Sequence, residues 1–347
     1  MAFTTVDSAN VEELWDKEYF KAYVRANRFK RYMGTTSNSV IHTQMDLTKK
    51  AGDGITIPLV SELTGAGQTG NGLLEGNEEA LGNYGHKIDI ATRRHAVAVT
   101  DNDQQFTGIP LREAAKEQLK LWSMKKLRTD VITALHSIAG TAYGSATEGA
   151  KDTWLAGNSD RVLFGDGSVG GYTDHSADVA LVTAAMTLDK DTVAKAKATA
   201  ELASPIIRPV TVGEDSETYV MFVGSGAFRD LKADLATSHA DAMERGKSNP
   251  LWNDGDLMYD GVIIRKIQEI TTIGTVGAAS ARIEPYFLCG AQAIGTAWAQ
   301  TTKSTTDTRD YGFVKGCGIH EMLGVEKLVY NSVDHGILTG YVGATAI

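Results

Sequence analysis

The chain has 347 residues, more than one compact core usually holds, so two or three subdomains are expected. Its formal net charge of −9 argues against a strongly basic nucleic-acid-binding protein, because affinity for phosphate comes mainly from Lys and Arg. Two cysteines exclude a disulfide framework and a four-ligand zinc site, and favour assembly in a reducing compartment; no apolar run reaches the length of a membrane span.

The first segment, residues 1–49, is predicted to be a helical arm. Apolar residues such as Leu14 and Tyr19 recur at spacings of three and four residues. Asn10 is a suitable helix cap and Gly34 a suitable stop.

Residues 49–101 differ in character from the first segment and predict an extended two-stranded arm. The stretches "DGITIPLVSEL" and "GHKIDIATRRHAVAVT" alternate apolar and polar residues, as strands do. Between Ala51 and His86 there are nine glycines, no Lys or Arg, and five acids. The composition indicates a two-stranded arm with an acidic, flexible tip. The five acids are Asp53, Glu62, Glu75, Glu78 and Glu79.

Residues 110–139 predict a long helix. Pro110 suits a first helical position, the apolar residues keep helical spacing, and Gly140 ends the run. At 1.5 Å per residue the helix would be about 45 Å long. It carries three acids and six basic residues: Arg112, Lys116, Lys120, Lys125, Lys126 and Arg128. A basic rod that follows an acidic arm suggests that copies of the chain pair with one another.

The rest of the chain predicts a mixed α+β region. Residues 141–177 are rich in Gly and Ser and indicate loops. A helical stretch breaks near Asp189, "TYVMFV" predicts a buried strand with the helix "GSGAFRDLKADLA" after it, and "DGVIIRKIQEI" and "RIEPYFLCG" predict further strands. Residues 311–347 predict terminal strands that return to an earlier sheet.

A G-x-G-x-x-G pattern at Gly65, Gly67 and Gly70 raises the alternative of a nicotinamide-dependent enzyme. That fingerprint requires a strand, a tight turn and a helix, whose N-terminus binds pyrophosphate. Pro58 is expected to interrupt the preceding strand, and further glycines disfavour a following helix. The glycines are therefore expected to let a hairpin tip bend, and the enzyme remains a weak alternative.

No other motif predicts catalysis, a cofactor or a metal. The sequence around Ser225 lacks the outer glycines of a nucleophile turn, so a helix cap is the expected role. The eight histidines are scattered without metal-ligand spacing. The acids Asp254, Asp256 and Asp260 are the best cation candidate but lack the spacing of an EF-hand loop, so a turn is expected there.

Four stretches together carry a resemblance over nearly the whole chain. They are "RYMGTTSNSVIHTQMDLTKKAGDGITIPLV", "LEGNEEALGNYGHKIDIATRRHAV", "SNPLWNDGDLMYDGVIIRKI" and "FLCGAQAIGTAWAQ". In this order the chain resembles the major capsid proteins of tailed bacteriophages, in the group typified by coliphage N-four.

The resemblance implies the α+β Hong Kong 97-type (HK97-like) phage capsid fold. Such a chain has an N-terminal arm, an extended β-hairpin loop, a peripheral domain with a long spine helix, and an axial domain. The implied boundaries are 1–49 for the arm, 50–95 for the extended loop, 96–175 with 311–347 for the peripheral domain, 110–139 for its spine helix, and 176–310 for the axial domain.

The implied function is self-assembly into an icosahedral shell around double-stranded DNA, without sequence-specific binding. The implied partners are further copies of the chain in hexamers and pentamers, a separate scaffolding protein, a portal and a decoration protein. The shell would assemble in the host cytoplasm and belong to the virion. An encapsulin-like nanocompartment of the same fold is the alternative.

Contacts between subunits are expected where the acidic loop tip meets a neighbour's basic surface. The spine-helix lysines are one candidate surface, and Arg93 and Arg94 are another. Apolar loop residues would supply most of the adhesion, and the acids would set the register. The expected tip residues are Glu75, Glu78, Glu79, Leu73, Leu74 and Leu81; the expected helix residues are Lys116, Lys120, Lys125 and Lys126.

Overall fold

The computed structural model describes the chain except for residues 1–27, 46–53, 61–62, 64, 66, 71–74, 76, 213–215, 236–256 and 346–347. Most of the predicted N-terminal arm therefore lies outside the described residues, which begin with a 3-10 turn at Arg28–Tyr32. The chain forms two compact units. The first contains Thr92–Leu127 and Gln300–Met322, and the second contains Arg28–Ala91, Arg128–Ala299 and Leu323–Ile347.

Six α-helices occur in the described part of the chain. They are α1 (Asp101–Phe106), α2 (Leu111–Leu135), α3 (Glu148–Gly157), α4 (His175–Ala180), α5 (Lys190–Leu202) and α6 (Ser225–Asp234).

Among the residues with described positions, the strands form two large sheets and three two-stranded ribbons. They are β1 (Met33–Gly34), β2 (Ile41–Gln44), β3 (Gly54–Val60), β4 (Asn83–Asp89), β5 (Ala91–Thr100), β6 (Ser137–Ile138), β7 (Thr141–Ala142), β8 (Val162–Phe164), β9 (Val210–Val212), β10 (Ser216–Val223), β11 (Leu257–Tyr259), β12 (Val262–Lys266), β13 (Ile283–Cys289), β14 (Ile294–Arg309), β15 (Val314–Lys327), β16 (Val329–Tyr330), β17 (Val333–Asp334) and β18 (Ile337–Gly343).

The core of the second unit is a seven-stranded sheet in the order β11-β12-β10-β13-β18-β8, with β9 also paired to β10. Strands β13 and β18 are buried along their whole length, so both faces of each strand are covered and the exposed–buried alternation of a surface strand is absent. Helices α5 and α6 pack on one set of these side chains, with Val193 and Leu231 fully buried. The C-terminal turns of α2 pack on the other set through Val131 and Leu135.

The second large sheet has the order β1-β2-β14-β15-β5. In the second unit β2 runs parallel to the start of β14, with Ile41 opposite Ile294. In the first unit the alternate residues Cys317 and Ile319 of β15 are buried against Leu119 of α2. The N-terminal part of α2 thus covers one face of the paired strands.

The long helix is confirmed, but it ends at Leu135, earlier than the predicted 139. Ser137 and Ile138 leave the helix and pair with Ala142 and Thr141. Ala139 and Gly140, with φ values of 47° and 78°, form the two-residue turn between them. Gly140 therefore closes a hairpin and does not cap the helix.

The helix after β10 is confirmed, but its expected cap is wrong. Gly224 occupies the N-cap position, and Ser225 is the first helical residue. The carboxylate of Glu284, which is 1% exposed, accepts hydrogen bonds from the backbone N–H groups of Gly226 at 3.1 Å and Ala227 at 3.0 Å. A long-range carboxylate from β13 therefore satisfies the helix N-terminus.

The start of the second helical piece at Asp189 is confirmed, because its carboxylate caps α5 by accepting from the Thr192 N–H at 2.7 Å. The first piece is shorter than predicted, since α4 ends at Ala180. The strand pairing crosses the predicted domain boundaries. Strand β18, predicted as peripheral, pairs with β13, which was predicted as axial. The boundaries themselves stay a prediction.

Acid is expected to destabilise the second unit through His136. The His136 ring stacks on Tyr143 at a centroid distance of 4.0 Å, and burial together with the charge of Lys327 lowers its pKa to about 3. An unfolded chain protonates His near pH 6.5, so the unfolded state takes up more protons below that pH and stability falls as the pH drops. Between pH 7 and pH 5 the loss from this residue is about 1–2 kcal/mol.

The measurement is the free energy of unfolding in urea at several pH values. The variant His136→Phe keeps a flat ring and removes the proton site, so its stability is expected to fall less between pH 7 and pH 5. If the variant and the unmodified protein lost the same stability between pH 7 and pH 5, the assignment of this loss to His136 would be contradicted.

Candidate assembly surfaces

The predicted two-stranded arm is an antiparallel ribbon of β3 and β4, in register from Gly54 opposite Asp89 to Val60 opposite Asn83. The expectation that Pro58 interrupts the strand is wrong, because Pro58 lies inside β3. Each strand of a two-stranded ribbon has a side without a ladder partner, where a missing N–H breaks no hydrogen bond. Proline is therefore compatible with this arm.

The base of the ribbon is anchored in the second unit. Ile57 and Ile88 are 6% and 0% exposed and belong to one apolar cluster. Gly295 lies directly beneath them, and a Cβ atom there would come within 2.4 Å of the Ile88 Cδ1. Glu326 also holds His86, at 3.2 Å between Oε2 and Nε2. The Asp89 N–H also donates to Glu326, and the Tyr330 hydroxyl donates to the Ile57 carbonyl, so the base is fixed by close packing and several polar contacts.

The described residues of the ribbon tip from Leu63 to Leu81 are exposed. Its glutamates Glu75, Glu78 and Glu79 all lie at the surface. The Glu79 carboxylate accepts a hydrogen bond of 2.7 Å from the Gly65 N–H, which ties the two sides of the tip together. Leu81 is 58% exposed, an unusual position for a large apolar side chain on a lone subunit. The predicted contacts Leu73 and Leu74 lie outside the described residues.

The part of α2 in the first unit has one buried face and one basic face. Ala115, Leu119 and Ser123 are buried at helical spacing. The predicted contact lysines are all exposed: Lys116, Lys120, Lys125 and Lys126. Glu113 and Glu117 are also exposed on this part of the helix, so its exposed charge is mixed with a positive balance.

The two predicted arginines of β5 point to different faces, as neighbouring strand residues must. The Arg93 side chain is 12% exposed, and its Nε lies 3.4 Å from the carboxylate of Glu321, which is 1% exposed. Arg93 is therefore held inside its own unit and does not belong to an exposed contact surface. Arg94 is exposed and lines an open groove of about 710 Å³ together with Arg309 and His320.

Sequence reasoning missed a group of exposed aromatic residues in the first unit. Phe106, at the end of α1, is 81% exposed, and Tyr311, in the turn between β14 and β15, is fully exposed. Phe313 is 41% exposed, and its carbonyl accepts a hydrogen bond of 2.9 Å from the Asp101 N–H. The sequence does contain a sign of this group, because the polar stretch "TRDYGF" holds two aromatic residues, Tyr311 and Phe313.

The described part of the G-x-G-x-x-G stretch belongs to the ribbon tip. Gly67 and Gly70 have φ values near +68° in the tip, and no helix begins in the described part of residues 61–82.

No group of three or more His, Cys, Asp or Glu side chains could hold a metal ion among the residues with described positions. Asp254 and Asp256 lie outside them, whereas Asp260 pairs with Lys197 at 3.2 Å. None of the described helices has both the length and the apolar character of a membrane span.

Comparison with known proteins identifies the family. A model of the phage capsid protein family matches residues 3–344. The chain belongs to the phage capsid protein family. The capsid protein is 26% identical to the major capsid protein of Pseudomonas phage KPP25 over 361 residues, which cover 95% of this chain and 94% of that protein.

Solved structures agree with this membership. The capsid protein superposes on a chain of the cyanophage Pam1 capsid asymmetric unit with a TM-score of 0.91 and 36% identity, over 100% of both chains. A chain of the Ralstonia phage GP4 capsid matches with a TM-score of 0.77 and 21% identity over 99% of both chains, which supports the fold. The predicted Hong Kong 97-type α+β fold and the function of a phage major capsid protein are confirmed.

Proposed function

We propose that copies of this capsid protein assemble into the icosahedral head shell of a tailed phage, which encloses double-stranded DNA. The full-length likeness to a chain of a phage capsid asymmetric unit carries this proposal. The protein acts as a structural part of the virion and not as an enzyme. Its assembly takes place in the host cytoplasm.

The mechanism is a contact between two different surfaces of neighbouring copies. The acidic tip of one ribbon lies over the basic face of α2 or the exposed Arg94 of the next copy. Because the two surfaces differ, the contact is not self-paired, and it can propagate around a ring and through a lattice. The firm base of the ribbon, at Ile57 and Ile88, supports this role because it holds an otherwise exposed arm to its own subunit.

Charge and apolar area have separate tasks in this contact. An exposed pair between a tip glutamate and a lysine contributes only about 0–1 kcal/mol, so charge sets the register more than the affinity. The apolar side chains exposed on the outer ribbon, including Val60, Leu63 and Leu81, supply area that a neighbour covers. An exposed tip therefore carries glutamates, which set the register of the contact, and leucines, which provide its affinity.

The interior and the accessory partners follow from the shell. A net charge of −9 favours weak binding of DNA by the inner surface of the shell, so that the genome can be packed and released. A separate scaffolding protein guides assembly, a portal occupies one vertex, and a decoration protein binds the outer surface.

The test is expression of the protein with and without its genomic neighbours, followed by sedimentation and electron microscopy. Closed shells, or hexamers and pentamers, are expected. Monodisperse monomers under every condition tested would contradict the proposal.

A further inference from the structure

The hairpin of β16 and β17, residues 329–334, contacts both the base of the ribbon and helix α3. On the ribbon side, the Tyr330 hydroxyl donates a hydrogen bond of 3.3 Å to the Ile57 carbonyl. Tyr330 is 6% exposed and belongs to the same apolar cluster as Ile57 and Ile88. Its ring meets that of His86 edge-on, at a centroid distance of 6.4 Å. The ribbon therefore rests on one end of this hairpin.

The other end of the hairpin is held by α3 and the residues that follow it. The Asp334 N–H donates to the Asn158 Oδ1 at 2.8 Å, and the Asp334 carbonyl accepts from Arg161 at 2.6 Å. The Asp334 carboxylate accepts from the Trp154 indole at 3.0 Å and pairs with Lys327 at 2.8 Å. Asn158 is fully buried and Arg161 is 1% exposed, so water does not compete for these bonds. Both backbone groups and the carboxylate of Asp334 are thus fixed.

The hairpin itself is short and stiff. Its two strands have two residues each and are joined by a turn of two residues, Asn331 and Ser332. These have φ values of 51° and 65°, as in the type I′ turn that fits the twist of a hairpin. Asn158 holds this turn as well, because its Nδ2 donates to the Ser332 carbonyl at 3.3 Å. A displacement of Asp334 is therefore passed on to Tyr330 at the ribbon.

We propose that this hairpin is a strut that fixes the direction of the ribbon, and that Asn158 positions the ribbon through it. A two-stranded ribbon is only marginally stable alone, so its direction depends on what holds its base. Each ribbon strand has seven residues and extends about 23 Å, so a tilt of about 10° at the base moves the far end by about 4 Å. Such a shift is enough to break an ion pair with a neighbour. The inference rests on the proposed function, in which the tip must meet a neighbouring copy.

The test is hydrogen exchange of backbone amides in the unassembled subunit. In Asn158→Ala, exchange in β3 and β4 is expected to become about 10-fold faster, because the base of the ribbon opens more often once its strut is loose. Exchange in β13, which is buried throughout, reports global unfolding and is the internal control. Insertion of two glycines between Asn331 and Ser332 loosens the turn without removing a buried side chain, and it should have the same effect.

Either variant decides the inference. Faster exchange confined to the hairpin and α3, with β3 and β4 unchanged relative to β13, would show that Asn158 stabilises only its own surroundings, and the strut would be overturned. If Asn158→Ala does not fold, the glycine insertion gives the same decision.

A pair of tyrosines provides a second readout, in assembly. Tyr330→Phe removes the hydroxyl that contacts the ribbon and is expected to raise the protein concentration needed for assembly about 5-fold. The matched control is Tyr219→Phe, which removes a buried hydroxyl that donates to the Ile207 carbonyl at 2.9 Å elsewhere in the second unit. Equal effects of the two substitutions would contradict the strut. Failure of the unmodified protein to form shells would overturn the proposed function, whereas exchange in the free subunit would still decide whether the hairpin holds the ribbon.

Discussion

Replacement of residues 61–82 by the turn Asn-Gly is expected to abolish shell assembly while the subunit stays folded. Val60 and Asn83 form the last pair of the ribbon, so a two-residue turn joins the strands without changing their register. The anchored base, including Ile57 and Ile88, is retained. Thermal unfolding should change little, and sedimentation should show only small species.

The matched control keeps the length of the loop and removes three of its four negative charges. The triple variant with Glu75, Glu78 and Glu79 changed to Gln retains the apolar area and loses these three acids, so assembly should weaken without disappearing. Shells of normal size from the shortened chain would show that the tip has no part in the contact.

Lys327→Met is expected to lower the free energy of unfolding by about 3–5 kcal/mol, because it leaves a buried carboxylate without its cation. The Lys327 Nζ lies 2.8 Å from the Asp334 carboxylate, and the two side chains are 2% and 3% exposed. Trp154 donates to the same oxygen at 3.0 Å, and this neutral bond alone does not replace the lost charge. The measurement is urea unfolding of the subunit.

The surface offers a matched control for this substitution. Lys315 pairs with Asp101 at a similar 2.7 Å, but the two side chains are 41% and 45% exposed. Lys315→Met should therefore cost about 0–1 kcal/mol. Similar losses for the two variants would contradict the argument from burial.

Local sequence patterns were sufficient to predict strands that are buried throughout or that alternate regularly between buried and exposed residues. The apolar run of β10 predicted a buried strand, the run of β13 predicted a strand, and the alternation in β3 and β4 predicted the ribbon. Features that depend on contacts between residues distant in sequence were predicted wrongly. Glu284, rather than Ser225, satisfies the start of α6, and no local pattern connects positions that far apart.

The candidate surfaces were predictable in charge but not in orientation. Composition showed an acidic tip and a basic helix, and the structure exposes both. The inward position of Arg93 depends on Glu321, which reaches it from another strand. The prominence of Tyr311 depends on backbone angles in a turn, which a sequence without glycine at that position does not suggest.

In the proposed shell, the acidic tip of each copy lies on the basic face of a neighbouring copy. Carbodiimide coupling of carboxylates to amines, in shells assembled from isotopically labelled and unlabelled subunits, tests this contact. We expect couplings from Glu75, Glu78 or Glu79 to lysines between Lys116 and Lys126, joining labelled to unlabelled chains. Couplings from the tip only within single chains, in shells that have formed normally, would contradict the account.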